Sequence, residues 1–233
     1  MELRIGSTPI AVLMRTPGLE PALVLGFALT EGIILHPREV GRIEETGPDR
    51  WTLTLAPGVE VDPEQFRRNL YSTSSCGVCG KASIDAVRVA APPLPAGPVV
   101  AAEILAALPR RLRANQPVFD ETGGLHGAGL FEPDGTFLAG AEDIGRHNAV
   151  DKLIGLAAAS RWPLGEVIMV VSGRISFEIT QKAAVAGIPL VAGVSAASSL
   201  GAELAEDVGM TVVGFLRDGG SVVYTGTRRI VGI

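Results

Sequence analysis

The chain is poor in the residues that small or secreted proteins depend on: among 233 residues it has two cysteines, three histidines, three lysines and 11 aromatics. Two cysteines cannot build a disulfide framework, and in a reducing compartment even one bridge is disfavoured. Charged residues make up 19% and the formal net charge is −5, so the chain lacks the basic surface needed to neutralise many phosphates. No nucleic-acid partner is expected, and any anion site must be local. No apolar run reaches the ~18 residues of a membrane span. Met1-Glu2-Leu3-Arg4-Ile5-Gly6 has neither the basic stretch nor the apolar segment of a signal peptide. These absences predict a cytoplasmic protein with no membrane partner. With few aromatics, the 47% of hydrophobic residues are mostly Val, Leu, Ile and Ala, which suits buried strands covered by helices.

No internal repeat or low-complexity tract is present, and the periodicity divides the chain into residues 1–90, a Pro-rich linker over 91–100, and residues 101–233. The first part reads as a strand from Arg4 to Met14, a helix from Pro21 to Leu35 stopped by His36-Pro37, and a strand from Trp51 to Leu55. A helix over 63–70, opened by Asp62 and Pro63, then leads to the cysteines. The run Ala91-Pro92-Pro93-Leu94-Pro95-Ala96-Gly97-Pro98 reads as an extended connection. After one further helix, a hairpin is expected around Pro133-Asp134-Gly135. Strands at 167–171, 190–194 and 211–216 then alternate with helices at 146–159, 177–186 and 200–208. That alternation predicts a largely parallel sheet covered on both faces, with an antiparallel edge added at Asp218-Gly219-Gly220.

Three connections leave the carboxyl ends of these strands: Ser172-Gly173-Arg174, Ser195-Ala196-Ala197-Ser198-Ser199 and Arg217-Asp218-Gly219-Gly220. Ligands of open α/β sheets bind at that edge, and the first two connections run into helix N-termini that attract anions. A phosphate-bearing ligand fits there. The plainer reading makes Ser172 and Ser198 ordinary helix caps.

The chemistry centres on Ser75-Cys76-Gly77-Val78-Cys79-Gly80-Lys81, where glycines let a ligand or a partner's thiol approach and Lys81 can favour a thiolate. Zinc competes, since a Cys-x-x-Cys joined by two of His36, His126 and His147 makes a tetrahedral set. However, no second closely spaced ligand pair follows. A zinc deaminase would need His-x-Glu and Pro-Cys-x-x-Cys, and neither occurs. A thioredoxin-like dithiol would follow a strand rather than a helix. In Glu142-Asp143-Ile144-Gly145-Arg146-His147-Asn148-Ala149-Val150-Asp151-Lys152, Asp143 can cap a helix. His147 and Asp151 share one face of it, as an oriented imidazole or as a simple surface pair. His126 lies among glycines in Gly123-Gly124-Leu125-His126-Gly127. The chain has 17 arginines, yet Lys81, Lys152 and Lys182 all fall in such polar blocks, where a compact ammonium is wanted.

Together with Ser172-Gly173-Arg174-Ile175-Ser176-Phe177-Glu178, these segments resemble the formate dehydrogenase accessory sulfurtransferases, the FdhD family. The resemblance runs in order from Gly26-Phe27-Ala28-Leu29-Thr30-Glu31-Gly32 through Val194-Ser195-Ala196 to Gly214-Phe215-Leu216-Arg217 and Tyr224-Thr225. It implies an α/β fold with a three-layer, cytidine-deaminase-like core beside a smaller N-terminal α+β part, and a homodimer. It also implies a sulfurtransferase. Sulfur would pass from a cysteine desulfurase, as a persulfide on Cys76 assisted by Cys79, to the Mo-bis(molybdopterin guanine dinucleotide) that formate dehydrogenase needs. That cofactor would be bound as cargo, with no permanent metal. The family's cofactor-binding segment matches Phe215, Leu216, Arg217, Asp218, Gly219 and Gly220, and Arg174, Ser172 and Ser195 join it from the neighbouring strand ends. Gly220 stands where some relatives carry a basic residue, and no leader precedes the first strand. The alternative is a cofactor-binding chaperone without sulfur chemistry. His126 and His147 are candidates for proton transfer.

Overall fold

The computed structural model describes residues 1–62, 93–217 and 220–232. Cys76, Cys79, Lys81, the helix expected over 63–70, and Asp218 and Gly219 lie outside the described residues.

Near the N-terminus β1 (Glu2–Ile5) and β2 (Thr8–Val12) pair antiparallel, so the single strand expected over 4–14 is a hairpin. Gly6, with φ +54°, makes the turn that a side chain would strain. Helix α1 (Glu20–Thr30) stops earlier than Leu35 because Gly32 takes the left-handed conformation that closes a helix, and Pro37 opens only a 3₁₀ turn. Strand β3 (Val40–Gly47) escaped the sequence reading because Arg42, Glu44 and Glu45 interrupt its apolar pattern. It pairs antiparallel with β4 (Arg50–Leu55), and the sheet order is β2-β1-β4-β3. Leu3, Ile5 and Leu53 pack from this sheet against Val24, Phe27 and Ala28 of α1.

From residue 93 onward, β5 (Val100–Ala101), α2 (Ala102–Arg113) and α3 (Pro117–Thr122) precede β6 (His126–Phe131) and β7 (Phe137–Asp143). Then come α4 (Arg146–Ala158), β8 (Ile168–Val171), α5 (Phe177–Val185), β9 (Leu190–Gly193), α6 (Ser199–Asp207), β10 (Thr211–Arg217), β11 (Gly220–Thr225) and β12 (Ile230–Val231). The larger sheet has the order β11-β10-β9-β8-β6-β7. Within this sheet, among the described residues, only β8, β9 and β10 pair in parallel, so the expectation of a largely parallel sheet is corrected. The β6–β7 hairpin inserts β6 beside β8, antiparallel to both neighbours. The class is mixed α/β. Alternation along the strands sorts the core: Met169 and Val171 face a cluster with Leu153, Ile179 and Leu204 of α4, α5 and α6, while Ile168 and Val170 face Leu105, Leu108 and Leu112 of α2.

The Pro-rich connection is fastened to this body. The Leu94 N–H donates to Val208 O, and the fully buried Arg229 donates to the carbonyls of Pro95, Ala96 and Gly209 and to Thr211 Oγ1. A planar five-donor fork suits four acceptors on separate segments, which an ammonium cannot span. Arg229→Met should therefore lower the denaturant midpoint, with each buried carbonyl left without a donor costing about 1–3 kcal/mol. An unchanged midpoint would show that the clip is energetically idle.

Candidate functional site

Because β8, β9 and β10 are parallel neighbours, their carboxyl ends reach one edge of the sheet, as the strand order predicted. The first two connections are stitched together there. Ile175 N–H donates to Ala196 O, Ser198 N–H to Ile175 O, and Phe215 N–H reaches Ser195 O from β10. Phe215 accommodates that contact with a φ of +51°, in the left-handed region.

Two cavities open along this edge. The first, of about 590 Å³, is lined by Arg110, Arg113, Gln116, His126, Ser172 and Arg217, with Leu216 and Phe119 in its apolar wall. Ser172 Oγ accepts from Gly127 N–H at 2.9 Å rather than capping a helix. Gln116 is buried against Gly127, where a Cβ would lie 2.3 Å from its amide nitrogen. Glu142 accepts from the N–H groups of Val118 and Phe119 and so holds α3 over the opening. Burial, with the charges of Arg146 and Arg174, keeps the His126 imidazole below its ordinary pKa.

The second cavity, of about 430 Å³, is lined by Arg146, Arg174, Ser176, Glu178 and Ser198 between the first turns of α4, α5 and α6. Ser198 caps α6 by accepting from Gly201 N–H, as the plainer reading held. His147 stands beside this cavity with Nε2 shielded and 3.8 Å from Glu178 Oε2. Burial, then Lys182 and Arg146, push its pKa down to about 4, so it is neutral at neutral pH and available only as a proton acceptor. Its folded value lies below the unfolded one, so the stability it contributes is complete above ~6.5 and is lost as pH falls toward about 4. An NMR titration should find its ring resonances fixed between about pH 5 and 8, where an ordinary histidine moves.

The expected His147–Asp151 pair does not form. Asp151 points the other way, accepting from Thr30 Oγ1 at 2.7 Å and from Lys182 Nζ at 2.9 Å. Asp143 does not cap α4 in the usual manner either. Gly145 holds the cap position, and the buried Asp143 accepts from Gly145 N–H, Asn148 Nδ2, Thr16 N–H and Lys152 Nζ. Lys152 and Lys182 are structural cations, buried and saturated. His36 Nδ1 accepts from Arg38 N–H in the 3₁₀ turn, and among the described residues the three histidines join no metal-binding cluster.

Of the proposed cofactor residues, Ser172, Leu216 and Arg217 thus line the first cavity and Arg174 the second. Ser195 serves through its carbonyl, Phe215 is partly exposed, and Gly220 pairs with Arg217 across the hairpin. Sequence reasoning missed Arg110, Arg113, Gln116 and Phe119, whose helical spacing reads only as an amphipathic face. It quoted Arg146, Ser176 and Glu178 inside its polar segments but gave them no role.

Residues 1–231 match the family model described as the FdhD/NarQ family. A protein of Mycobacterium bovis named sulfur carrier protein FdhD is 50% identical over 99% of this chain and 89% of its own length. Its namesake from Streptomyces coelicolor is 48% identical, covering 99% and 86%. The crystal structure of a protein from Desulfotalea psychrophila, described as a formate dehydrogenase accessory protein, superposes with a TM-score of 0.78. It is 23% identical and covers 99% of this chain and 87% of the other, which shows a shared fold. By the family model that matches residues 1–231 and by relatives about half identical along nearly its whole length, this chain belongs to the FdhD/NarQ family.

Proposed function

We propose that this chain is a cytoplasmic, homodimeric sulfurtransferase that carries sulfur on Cys76 from a cysteine desulfurase to the Mo-bis(molybdopterin guanine dinucleotide) destined for formate dehydrogenase. The observation that carries the reading is the Cys76-Gly77-Val78-Cys79 spacing in a chain that aligns end to end with relatives named sulfur carrier protein FdhD. In the loading step the Cys76 thiolate attacks the outer sulfur of the donor's persulfide. A new S–S bond forms on Cys76 while the donor's S–S bond breaks, and the electron pair leaves on the donor thiolate, so nothing is oxidised or reduced overall. Cys79 assists or resolves the persulfide.

The cargo is a polyanion with two nucleotide ends, and the arginines of the sheet-edge cavities suit its phosphates: Arg110, Arg113 and Arg217 in the first, Arg146 and Arg174 in the second. Ser172, accepting from Gly127 N–H, and Ser195, accepting through its carbonyl from Phe215 N–H, help to shape the edge. After incubation with a desulfurase and cysteine, mass spectrometry should find one added sulfur on the wild type and none on Cys76→Ala. A full load on Cys76→Ala would sink the assignment. A chaperone that only holds the cofactor would still let a Cys76→Ser variant support formate dehydrogenase activation, whereas a carrier would not.

A further inference from the structure

Helix α3 gains almost nothing from apolar packing, because its six residues bury no side chain. Gln116, just before it, is buried in the body, and Gly123, just after it, turns the chain with a φ of +65°. Between these two points the helix stands over the first cavity, with Phe119 in the wall.

Two side chains of the body fasten it. The Glu142 carboxylate, carried by β7, accepts from Val118 N–H at 3.0 Å on one oxygen and from Phe119 N–H at 2.7 Å on the other. Arg113, in the last turn of α2, pairs with Asp120 and lies 4.5 Å from the centroid of the Phe119 ring. The Arg113 and Asp120 side chains are 47% and 59% exposed, so their pair is weak and readily exchanged for another.

Arg113 also lines the cavity, together with Arg110 and Arg217, and guanidinium groups so gathered are where an anion settles. With α3 in place, the Asp120 carboxylate already sits on one of them. A phosphate arriving at Arg113 meets that like charge, so the anion and α3 compete for one guanidinium. Such a contact, made in one position of the helix and lost in the other, is what lets a ligand bias a conformational equilibrium.

We propose that α3 is an autoinhibitory cover of the first cavity. Asp120 occupies Arg113 in place of an anion, Glu142 latches the helix in that position, and an incoming phosphate group displaces Asp120 and loosens the cover. This rests on the reading that the arginines of this cavity take the cargo's phosphates. It makes Glu142 a positioning residue, acting through α3, and Asp120 a competitor of the cargo.

Calorimetric titration of the full chain with pyrophosphate, with amide exchange followed by NMR on the same samples, tests it. Asp120→Asn should bind pyrophosphate roughly two- to five-fold more tightly than the wild type, the equivalent of one half-exposed ion pair. Glu121→Gln removes the same charge one residue further on and should leave the affinity nearly unchanged, because an exposed charge without a shared partner is screened. By linkage, saturating pyrophosphate should speed exchange of the Val118 and Phe119 amides by the same factor in the wild type, and not in Asp120→Asn. Glu142→Gln sets an amide donor against one of those N–H groups. It should raise their exchange roughly ten-fold or more while the denaturant midpoint and the exchange of β6 stay as in the wild type. Wild-type α3 amides that exchange no faster than those of β6 would overturn the proposal, since the helix would then open only with the whole fold. An Asp120→Asn variant of unchanged or weaker affinity would overturn it too, as would a Glu121→Gln variant that tightens binding equally. If pyrophosphate bound neither the wild type nor Asp120→Asn, the phosphate reading of this cavity would fall and take the cover with it.

Discussion

Lys182→Met is expected to destabilise the fold by about 3–5 kcal/mol, the range for leaving one member of a buried ion pair without its partner. Lys182 Nζ lies 2.9 Å from Asp151 on α4, 2.8 Å from Glu31 just past α1, and 2.9 Å from Thr30 Oγ1, and so ties three helices together. Burial works against its charge, but Asp151 and Glu31 outweigh it and hold the ammonium above the ordinary lysine range. Burial, aided by the Glu31 charge, lifts the Asp151 carboxyl to about 6, against the pull of Lys182 and the hydrogen bond from Thr30. The pair is nonetheless ionised, because a neutral amine would leave the surrounding oxygens short of donors.

The pH dependence has a definite sign. Without Lys182, burial and the Glu31 charge act on Asp151 against the Thr30 hydrogen bond alone and raise its folded pKa further above the ~3.9 of the unfolded chain. A carboxyl shifted upward contributes stability that is complete below the unfolded value and is lost as pH rises through the folded one. The deficit of Lys182→Met should therefore shrink as pH is lowered from neutrality toward ~4, and adding Asp151→Asn should recover part of it at neutral pH. Denaturant melts at several pH values provide the check. A deficit independent of pH, with no recovery in the double variant, would rule out an uncompensated carboxylate as its cause. In the wild type the lysine's own contribution persists below ~10.4 and is lost only as pH rises beyond it.

Gly26→Ala and Gly155→Ala should each destabilise by at least about 3 kcal/mol, the upper end of ordinary overpacking. A Cβ on Gly26 would lie 1.8 Å from the carbonyl oxygen of Asp151, and one on Gly155 would lie 1.9 Å from that of Ala22. Both obstacles are backbone atoms that no rotamer change can move aside, so α1 and α4 must separate. In an exposed helix the same substitution would gain roughly 0.5–1 kcal/mol, so the sign of the measured change reports the packing directly. Moving Asp151 also disturbs its contact with Lys182. Gly26→Ala and Lys182→Met together should therefore cost less than their sum, and strict additivity in a double-mutant cycle would show that crossing and ion network are independent. Variants as stable as the wild type would mean that the helices have room to part.

The second half of the fold was legible because its signals are local. Alternating Val-rich strands and amphipathic helices lie within a residue or two of their expected ends from Ile168 to Arg217, and the turn at Pro133-Asp134-Gly135 announced its hairpin. The N-terminal part was less legible. Gly6 and Gly32 act through left-handed backbone that composition alone does not reveal, and β3 wears charged residues on a solvent-facing edge. Polar residues were hardest to assign. Lys152 and Lys182 sit in motifs that suggested ligand chemistry, yet both are consumed by buried carboxylates and carbonyls.

The sequence by itself determined the family resemblance, offered the Cys-x-x-Cys pair as the candidate centre of chemistry, and carried the strand alternation that brings the connections after β8 and β9 to one edge. Each is carried by residue identity or by short-range periodicity, which the linear chain contains in full. Only the tertiary structure decided that Asp151 serves Lys182 rather than His147, and that the connections line two cavities instead of one. It alone left Arg146 Nε and Ser176 Oγ without partners while satisfying every buried lysine among the described residues. Which polar groups are spent on the fold and which remain for a ligand depends on partners more than a hundred residues away, such as Thr30 for Asp151 and Thr16 for Lys152. Those pairings exist only after the helices have packed.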